Sequence, residues 1–252
     1  MALHFDLSPE LLTEEQVQDY LFLCKEQHDT PSDSFFKHTI YGLRAAYKVM
    51  NLPERRIGLP RIKRQNDLPC VLNKKEVRQL LTAPKYLRHR LMLGMLYGCG
   101  LRSYELCNLK FADLDFYRKT VFVRKQKGKF DRYIPLSEHL IRGLRKYIAS
   151  DHPQEYVFNS QVSKDGATRP ITVGAIHWLI KGCRSKVDTH KKFTAHTLRH
   201  TFATHLLEDG MNIMSVKELL GHARIETTLI YLHVVNVGSS VKYSPLDTLY
   251  KD

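Results

Sequence analysis

Apolar residues recur at helical spacing through most of the chain. The run Thr13 to Gln16 has the form of a capping box, and Val17, Tyr20 and Leu21 follow it at helical spacing. A second segment begins near Asp33, and its apolar positions are Phe36, Ile40, Leu43, Tyr47 and Met50. The pattern predicts two amphipathic helices in the first 52 residues.

Helical periodicity is lost between Pro53 and Pro69. This stretch holds three prolines and five basic residues, which are Arg55, Arg56, Arg61, Lys63 and Arg64. Because proline favours extended backbone, we expect a semi-extended linker here. The chain should therefore comprise a small helical domain at residues 1–52, a basic linker at 53–69 and a larger domain at 70–252, whose tail begins at about residue 236.

The larger domain opens with helical patterns. The run Asn73 to Glu76 forms a second capping pattern, and the stretch from Arg90 to Gly98 is too apolar to face water. The latter predicts a buried core helix. Arg102 and Glu105 lie three residues apart at the start of a further predicted helix, about Ser103 to Leu109, so their side chains share one face.

Between Asp113 and Leu136 the apolar residues recur at every second position instead of at helical spacing. Residues 120–123 alternate in the manner of a strand, and residues 133–136 form a second such run. Between them Lys127 precedes Gly128, which permits a tight reversal. The pattern predicts a small antiparallel sheet with a lysine at the exposed tip of its turn.

Further helical patterns fill the rest of the chain. One helix is capped by Ser137 and runs to about Ile148, and another is predicted from Thr172 to Val187, with Trp178 expected to pack. Three short helices are predicted between Thr194 and Val235. The first ends before Gly210. The second runs from Ile213 to Leu220 and is stopped by Gly221. The third begins after Ile225 and contains Tyr231. The predicted fold class is mainly α with a small antiparallel β-sheet.

The composition indicates which kind of molecule the protein binds and in which compartment it works. The 252 residues carry a formal net charge of +13, which favours a polyanion through counterion release. The five cysteines are scattered and form no C-x-x-C pair, which is typical of a reduced, cytoplasmic protein. Since no apolar run approaches the roughly 20 residues of a membrane span, we expect no membrane association.

Four separated motifs resemble the signature of the tyrosine recombinases, the phage integrase family. They are the runs Gly98 to Leu106 with Arg102, Lys127 to Leu136, His196 to His200 with Arg199, and Leu219 to His222 followed by Tyr231 nine residues later. The resemblance implies a catalytic domain preceded by a short helical core-binding domain. Residues 1–52 match only the later part of such a domain, so either it is naturally short or the chain starts inside a longer one.

The resemblance also implies a reaction and a role for each matching residue. Tyr231 would attack a DNA phosphate and form a 3′-phosphotyrosine intermediate, with neither metal nor ATP as cofactor. Arg102 and Arg199 would bind the non-bridging phosphate oxygens, and Glu105 would support them. His196 and His222 would contact the phosphate and manage the tyrosine proton. The family pattern selects Lys127 from Lys125, Lys127 and Lys129 as the acid for the 5′ oxygen.

Double-stranded DNA is the implied partner, and a homo-tetramer is the implied synaptic assembly, with a monomer or weak oligomer when free. Candidate phosphate contacts are Lys37, Arg44, Arg61, Lys63, Arg64, Lys181 and Arg184, each of which can equally be part of a solvated surface. The tail after Tyr231 can dock on a neighbouring protomer or fold back on its own domain.

Three other interpretations compete with this one. His196 and His200 have the spacing of a zinc site, but Thr197 occupies the place of the glutamate in the H-E-x-x-H motif, so we expect no metal. A DNA-binding protein without chemistry would not need Tyr231. A type IB topoisomerase resembles this family in fold and site, although the short chain and the Leu-Gly-His turn at residues 220–222 favour recombination.

Overall fold

The computed structural model describes residues 1–27, 33–52, 55, 57–58, 68–124, 131–153, 155–160 and 168–235. It divides into two compact units, Met1–Asp67 and Leu68–Asp252. The division falls inside the stretch predicted to be a linker. Most of that stretch lies outside the described residues, so its role as a linker stays a prediction.

The described residues of the first unit form three helices and a short 3-10 turn. They are α1 (Ala2–Phe5), the 3-10 turn Pro9–Leu11, α2 (Glu14–Gln27) and α3 (Asp33–Val49). The predicted capping box is present, since Thr13 and Gln16 each bond the other's backbone N–H. The core consists of Leu12, Val17, Leu21, Phe36, Ile40, Tyr47 and Ile57. Met50, predicted to lie on the apolar face, is exposed because it lies beyond the end of α3.

The second unit is helical around a three-stranded sheet. Its helices are α4 (Lys74–Thr82), α5 (Leu87–Gly98), α6 (Ser103–Cys107), α7 (Glu138–Asp151), α8 (Val173–Cys183), α9 (Ala195–Glu208), α10 (Ile213–Leu220) and α11 (Glu226–Leu229), with 3-10 turns at Phe111–Asp113 and Arg184–Lys186. Its strands are β1 (Leu114–Asp115), β2 (Thr120–Val123) and β3 (Arg132–Pro135). This arrangement confirms the predicted fold class.

Helix α5 is the central element of the second unit and packs against both α7 and α9. Its buried residues are Leu91, Met92, Leu93, Met95 and Leu96, which confirms the predicted core helix. Small residues allow the close approach of α5 and α7. A Cβ added at Gly94 would come within 2.9 Å of the Leu140 side chain, and one added at Gly143 within 2.7 Å of Leu91.

The sheet has the order β1-β2-β3, and both pairings are antiparallel. Val121 pairs with Ile134 on the buried face, so the alternation read from the sequence gives the correct register. Arg132 lies on the same buried face as Ile134. The turn predicted between β2 and β3, with Lys125, Lys127 and Lys129, lies outside the described residues.

Three predictions for the C-terminal half are wrong in detail. Helix α8 ends at Cys183 rather than Val187, and a 3-10 turn continues the chain. Trp178, predicted to pack, is 71% exposed. Helix α11 has only four residues, so Tyr231 lies two residues beyond it. The tyrosine is nevertheless buried, because it packs into the cluster of α9 and α10 side chains that includes Phe202, Ala203, Val216 and Leu220.

Candidate active site

Arg199 is the most deeply buried charged residue of the site, with 1% of its surface exposed. It projects from α9. Its Nη1 donates to the Gly100 carbonyl at 2.7 Å, and its Nη2 donates to the Leu220 carbonyl. Burial and the nearby charge of Arg102 lower the pKa of Arg199 to about 9, so the guanidinium remains charged at neutral pH.

Arg102 lies at the N-terminus of α6, where Glu105 orients it. The Glu105 carboxylate accepts a bond from the Arg102 backbone N–H at 2.9 Å and another from Nη1 at 2.8 Å. Nη1 also lies 3.5 Å from the Leu220 carbonyl. The side chain of Arg102 is 23% exposed, so its other N–H groups can reach a ligand. The predicted pairing of these two residues on one face is therefore observed.

Arg132 is a third guanidinium at the site and was not predicted. It donates to both Glu105 oxygens, at 3.1 and 2.8 Å, and its Nε donates to the Leu219 carbonyl at 2.8 Å. Burial raises the pKa of the Glu105 carboxyl, but the bonds from Arg132 and the charge of Arg102 outweigh that effect and lower it to about 2. Glu105 is thus a permanent anion between two arginines.

A cavity of about 330 Å³ opens beside these groups. Its lining consists of Leu101, Arg102, Ser103, His177, Thr194, Ala195, His196 and Arg199. Partial burial of the His196 ring and the charges of Arg199 and Arg102 lower its pKa, so the imidazole is neutral at pH 7. A cavity with two guanidiniums and two imidazoles in its walls suits an anion such as a phosphodiester.

Tyr231 lies in a buried position beside this cavity, with 1% exposure. Its hydroxyl is 3.0 Å from Nδ1 of His200, which also projects from α9. Burial raises the pKa of the phenol, while the charges of Arg199 and Arg102 oppose that change. The phenol is therefore protonated at neutral pH, and the two arginines are close enough to act on it.

His222 follows Gly221, the left-handed C-cap of α10. Its Nδ1 lies 2.9 Å from the Thr228 hydroxyl, and its ring stacks on that of Tyr231 with centroids 6.4 Å apart. Burial, followed by the charges of Arg199 and Arg102, lowers the pKa of His222 to about 3. His222 is therefore a neutral hydrogen-bonding group at pH 7.

The structure brings most of the predicted catalytic residues together. Arg102, His196 and Arg199 line the cavity, while Tyr231 is buried and has the half-buried ring of His222 next to it. Arg199 and Arg102 both point to the carbonyl of Leu220, at the end of α10. Lys127 lies outside the described residues.

The predicted phosphate contacts have varied surroundings. Lys37 is half-buried and Lys181 is exposed. Arg44 donates to the Ile57 carbonyl and Arg184 to the Phe193 carbonyl, so both side chains have local structural partners. Arg61, Lys63 and Arg64 lie outside the described residues. A role in DNA binding stays a prediction for all seven.

Two residues at the site, Arg132 and His200, were given no role from the sequence. Arg132, Ile134 and Leu136 are two residues apart in sequence, so their side chains lie on the same face of the strand. The apolar character of the last two could have identified Arg132 as inward-facing. His200 lies four residues after His196, on the same face of α9. Its partner, Tyr231, is 31 residues away, and no local pattern connects the two.

Within the described ranges, no group of three or more His, Cys, Asp and Glu side chains is placed to hold a metal ion. His196 and His200, considered above as a zinc pair, have rings in edge-to-face contact with centroids 4.3 Å apart. Among the described helices, none has both the length and the apolar character required to cross a bilayer.

Comparison with known proteins agrees with this geometry. The profile of the phage integrase family matches residues 70–236. A tyrosine recombinase of Pseudothermotoga lettingae is 37% identical over 230 residues, which are 87% of this chain and 77% of that protein. The tyrosine recombinase XerA of Pyrococcus furiosus is 38% identical over 218 residues, covering 84% and 74% of the two chains.

Solved structures show the same fold. The crystal structure of XerA recombinase superposes with a TM-score of 0.59 at 27% identity and covers 99% of this chain and 86% of that one. XerH recombinase in its post-cleavage complex with a palindromic difH substrate superposes with a TM-score of 0.69 at 22% identity, covering 90% and 70%. The chain therefore belongs to the phage integrase family and is a tyrosine recombinase, an enzyme of site-specific DNA recombination.

Proposed function

We propose that Tyr231 attacks a backbone phosphate of double-stranded DNA and forms a 3′-phosphotyrosine intermediate. The observation that carries this proposal is the position of α9, which places Arg199 and His196 in the wall of the anion cavity and bonds Tyr231 through His200. The covalent bond conserves the energy of the broken phosphodiester, so a 5′ hydroxyl from another strand can reverse the step without ATP.

Arg102 and Arg199 stabilise the charge of the pentavalent phosphorus. Arg199 uses one Nη1 hydrogen and one Nη2 hydrogen on carbonyl groups, and its other three N–H donors bond to none of the described residues, so they can serve a phosphate. Arg102 is the more exposed of the two and makes the first contact. Glu105, fixed by Arg132, holds Arg102 in place and does not touch the DNA.

The departing 5′ oxygen needs a proton, and Lys127 supplies it. This role rests on the resemblance of the run Lys127 to Leu136 to the family motif. It is supported by the antiparallel pairing of β2 and β3, which precede and follow the segment that contains the lysine. His196 contacts a phosphate oxygen from the cavity wall, and His222 packs on the phenol ring.

Strand exchange between two duplexes requires four tyrosines, so we propose a homo-tetramer on DNA in the cytoplasm. The net charge of +13 supports a DNA partner. Structural relatives were solved with DNA, among them XerH bound to difH substrate and the Tn1549 transposon integrase bound to transposon right end DNA. The first unit, residues 1–67, then acts as the core-binding domain.

The test begins with a bound duplex, selected by the purified protein from a pool of random-sequence duplexes. That duplex is nicked next to the cleaved phosphate, so that the released fragment diffuses away and the covalent adduct accumulates. With EDTA and without ATP, the wild-type protein should give an adduct that survives denaturation, and Tyr231→Phe should give none while binding the duplex equally well. Adducts from Tyr231→Phe, or none from the wild type on its selected duplex, would refute the proposal.

A further inference from the structure

His200 is the histidine that contacts the candidate nucleophile. Its Nδ1 lies 3.0 Å from the Tyr231 hydroxyl, within hydrogen-bond distance. The Nδ1 of His222 is bonded instead to Thr228, and the His222 ring lies roughly parallel to the phenol ring, with centroids 6.4 Å apart. His196 lines the cavity wall and makes edge contact with the His200 ring.

We propose that His200 is the general base that takes the proton of Tyr231 during attack. This inference rests on Tyr231 being the nucleophile. As the phenolic oxygen bonds to phosphorus, its O–H bond breaks and the proton passes to Nδ1, which makes His200 an imidazolium. The bond between phosphorus and the 5′ oxygen breaks, and that oxygen is protonated by a separate acid. In the reverse step His200 returns its proton to the departing phenolate.

The protonation state of His200 suits this role. Burial, together with the neighbouring His196 and the charge of Arg199, lowers its pKa to about 4, so the ring is neutral at pH 7. In the tautomer that carries its proton on Nε2, Nδ1 accepts from the Tyr231 hydroxyl. His222 and Tyr231 are its other ionisable neighbours, from the segments after α10 and α11. When a phosphate binds, its negative charge offsets that of the arginines and makes His200 more basic at the moment of attack.

The tyrosine needs such a neighbour. Burial raises the pKa of a phenol that already ionises near 10, so very little phenolate exists at pH 7. A base at hydrogen-bond distance typically accelerates such a step by about 10²–10⁴-fold.

The chain contains a matched control on the same helix. His205 lies on α9 with its Nδ1 3.0 Å from the hydroxyl of Tyr97, and burial likewise lowers its pKa. The distance from Nδ1 to the hydroxyl equals that between His200 and Tyr231, although the two rings meet at 83° here and at 56° there. A substitution of His205 therefore reports what it costs merely to remove a buried histidine from α9.

The experiment measures single-turnover cleavage of the selected duplex with a 5′-bridging phosphorothiolate at the cleaved position. Its sulfur leaves without an acid, so only attack limits the rate. Asparagine places an acceptor near the position of Nδ1 but is not basic. We expect His200→Asn and His200→Gln to cleave about 10²–10⁴-fold more slowly than wild type, and His205→Asn to stay near the wild-type rate. Circular dichroism and duplex affinity verify that each variant is folded.

The pH profile provides a second readout. The wild-type rate should change little between pH 6 and 8, because His200 is neutral throughout. The rate of His200→Asn should rise by about tenfold per pH unit, because the fraction of phenolate then sets it. Cleavage by His200→Asn within threefold of wild type, an equal loss in His205→Asn, or a defect seen only with the normal oxygen substrate would each overturn the inference. Adducts from Tyr231→Phe would instead refute the nucleophile on which it rests.

Discussion

Replacing Arg132 by methionine keeps most of the volume of the side chain but removes both bonds to Glu105. The two partners are 8% and 7% exposed, so water cannot easily take the place of the guanidinium. The carboxylate keeps its bonds from Arg102. Breaking a buried ion pair in this way typically costs about 3–5 kcal/mol, because one charge remains buried without its partner.

The pKa of Glu105 gives an independent magnitude for the pairing. Its decrease from 4.5 to about 2 in the folded protein corresponds to about 3 kcal/mol of stability at neutral pH. Because the folded pKa is the lower one, this contribution is complete above pH 4.5 and is lost as the pH falls towards 2. In Arg132→Met most of the pH dependence over that window should disappear with the ion pair.

The assay is urea unfolding followed by circular dichroism at pH 7 and at several values down to pH 3. Lys74→Met is the control, since the Lys74 and Asp209 side chains are 58% and 61% exposed and a solvent-exposed ion pair contributes little to stability. If Arg132→Met loses no more stability than Lys74→Met, the argument that this buried pair stabilises the site is refuted.

Three further predictions follow from particular residues. Gly221→Ala should destabilise the protein by about 1–2 kcal/mol, because φ at this position is +62° and a Cβ would come within 3.0 Å of the Arg132 guanidinium. Thermal unfolding measures this loss. Gly182→Ala is the control, because a Cβ at that position meets nothing within 4 Å. Wild-type stability should fall as the pH decreases from 6.5 towards 4, because unfolded His222 binds a proton that the folded residue, with a pKa of about 3, does not; His222→Gln should lose less in urea titrations over this range. The emission of Trp178, the only tryptophan, should change when the selected duplex binds if the exposed face of α8 meets DNA, and an unchanged spectrum at saturation would exclude that contact.

The elements that the sequence predicted well depend on local rules. The capping pattern at Asn73 forms as expected, with the Asn73 side chain accepting from the Glu76 N–H and the Glu76 carboxylate accepting in return. The alternation in β2 and β3 sets their register for a similar reason, since inward and outward positions are fixed within four residues. Such patterns need no knowledge of distant partners.

Predictions failed where a distant part of the chain decides the outcome. The apolar run around Tyr231 resembles a helix, yet α11 stops after four residues, and the tyrosine is buried by packing on α9 and α10. Trp178 is large and apolar, but it lies on the side of α8 that faces away from the core. His200 and Arg132 were assigned no role because their partners are 31 and 27 residues away.

Three positive side chains converge on the last two carbonyl groups of α10. Arg132 donates to Leu219, Arg199 donates to Leu220, and Arg102 lies within 3.5 Å of the same oxygen. Because the C-terminus of a helix carries partial negative charge, these cations hold the helix end that leads into His222. Substituting any of these three arginines therefore disturbs phosphate binding and the support of the nucleophile together. The loss of rate in a double arginine variant should then differ from the sum of the losses, as free energies, in the two single variants.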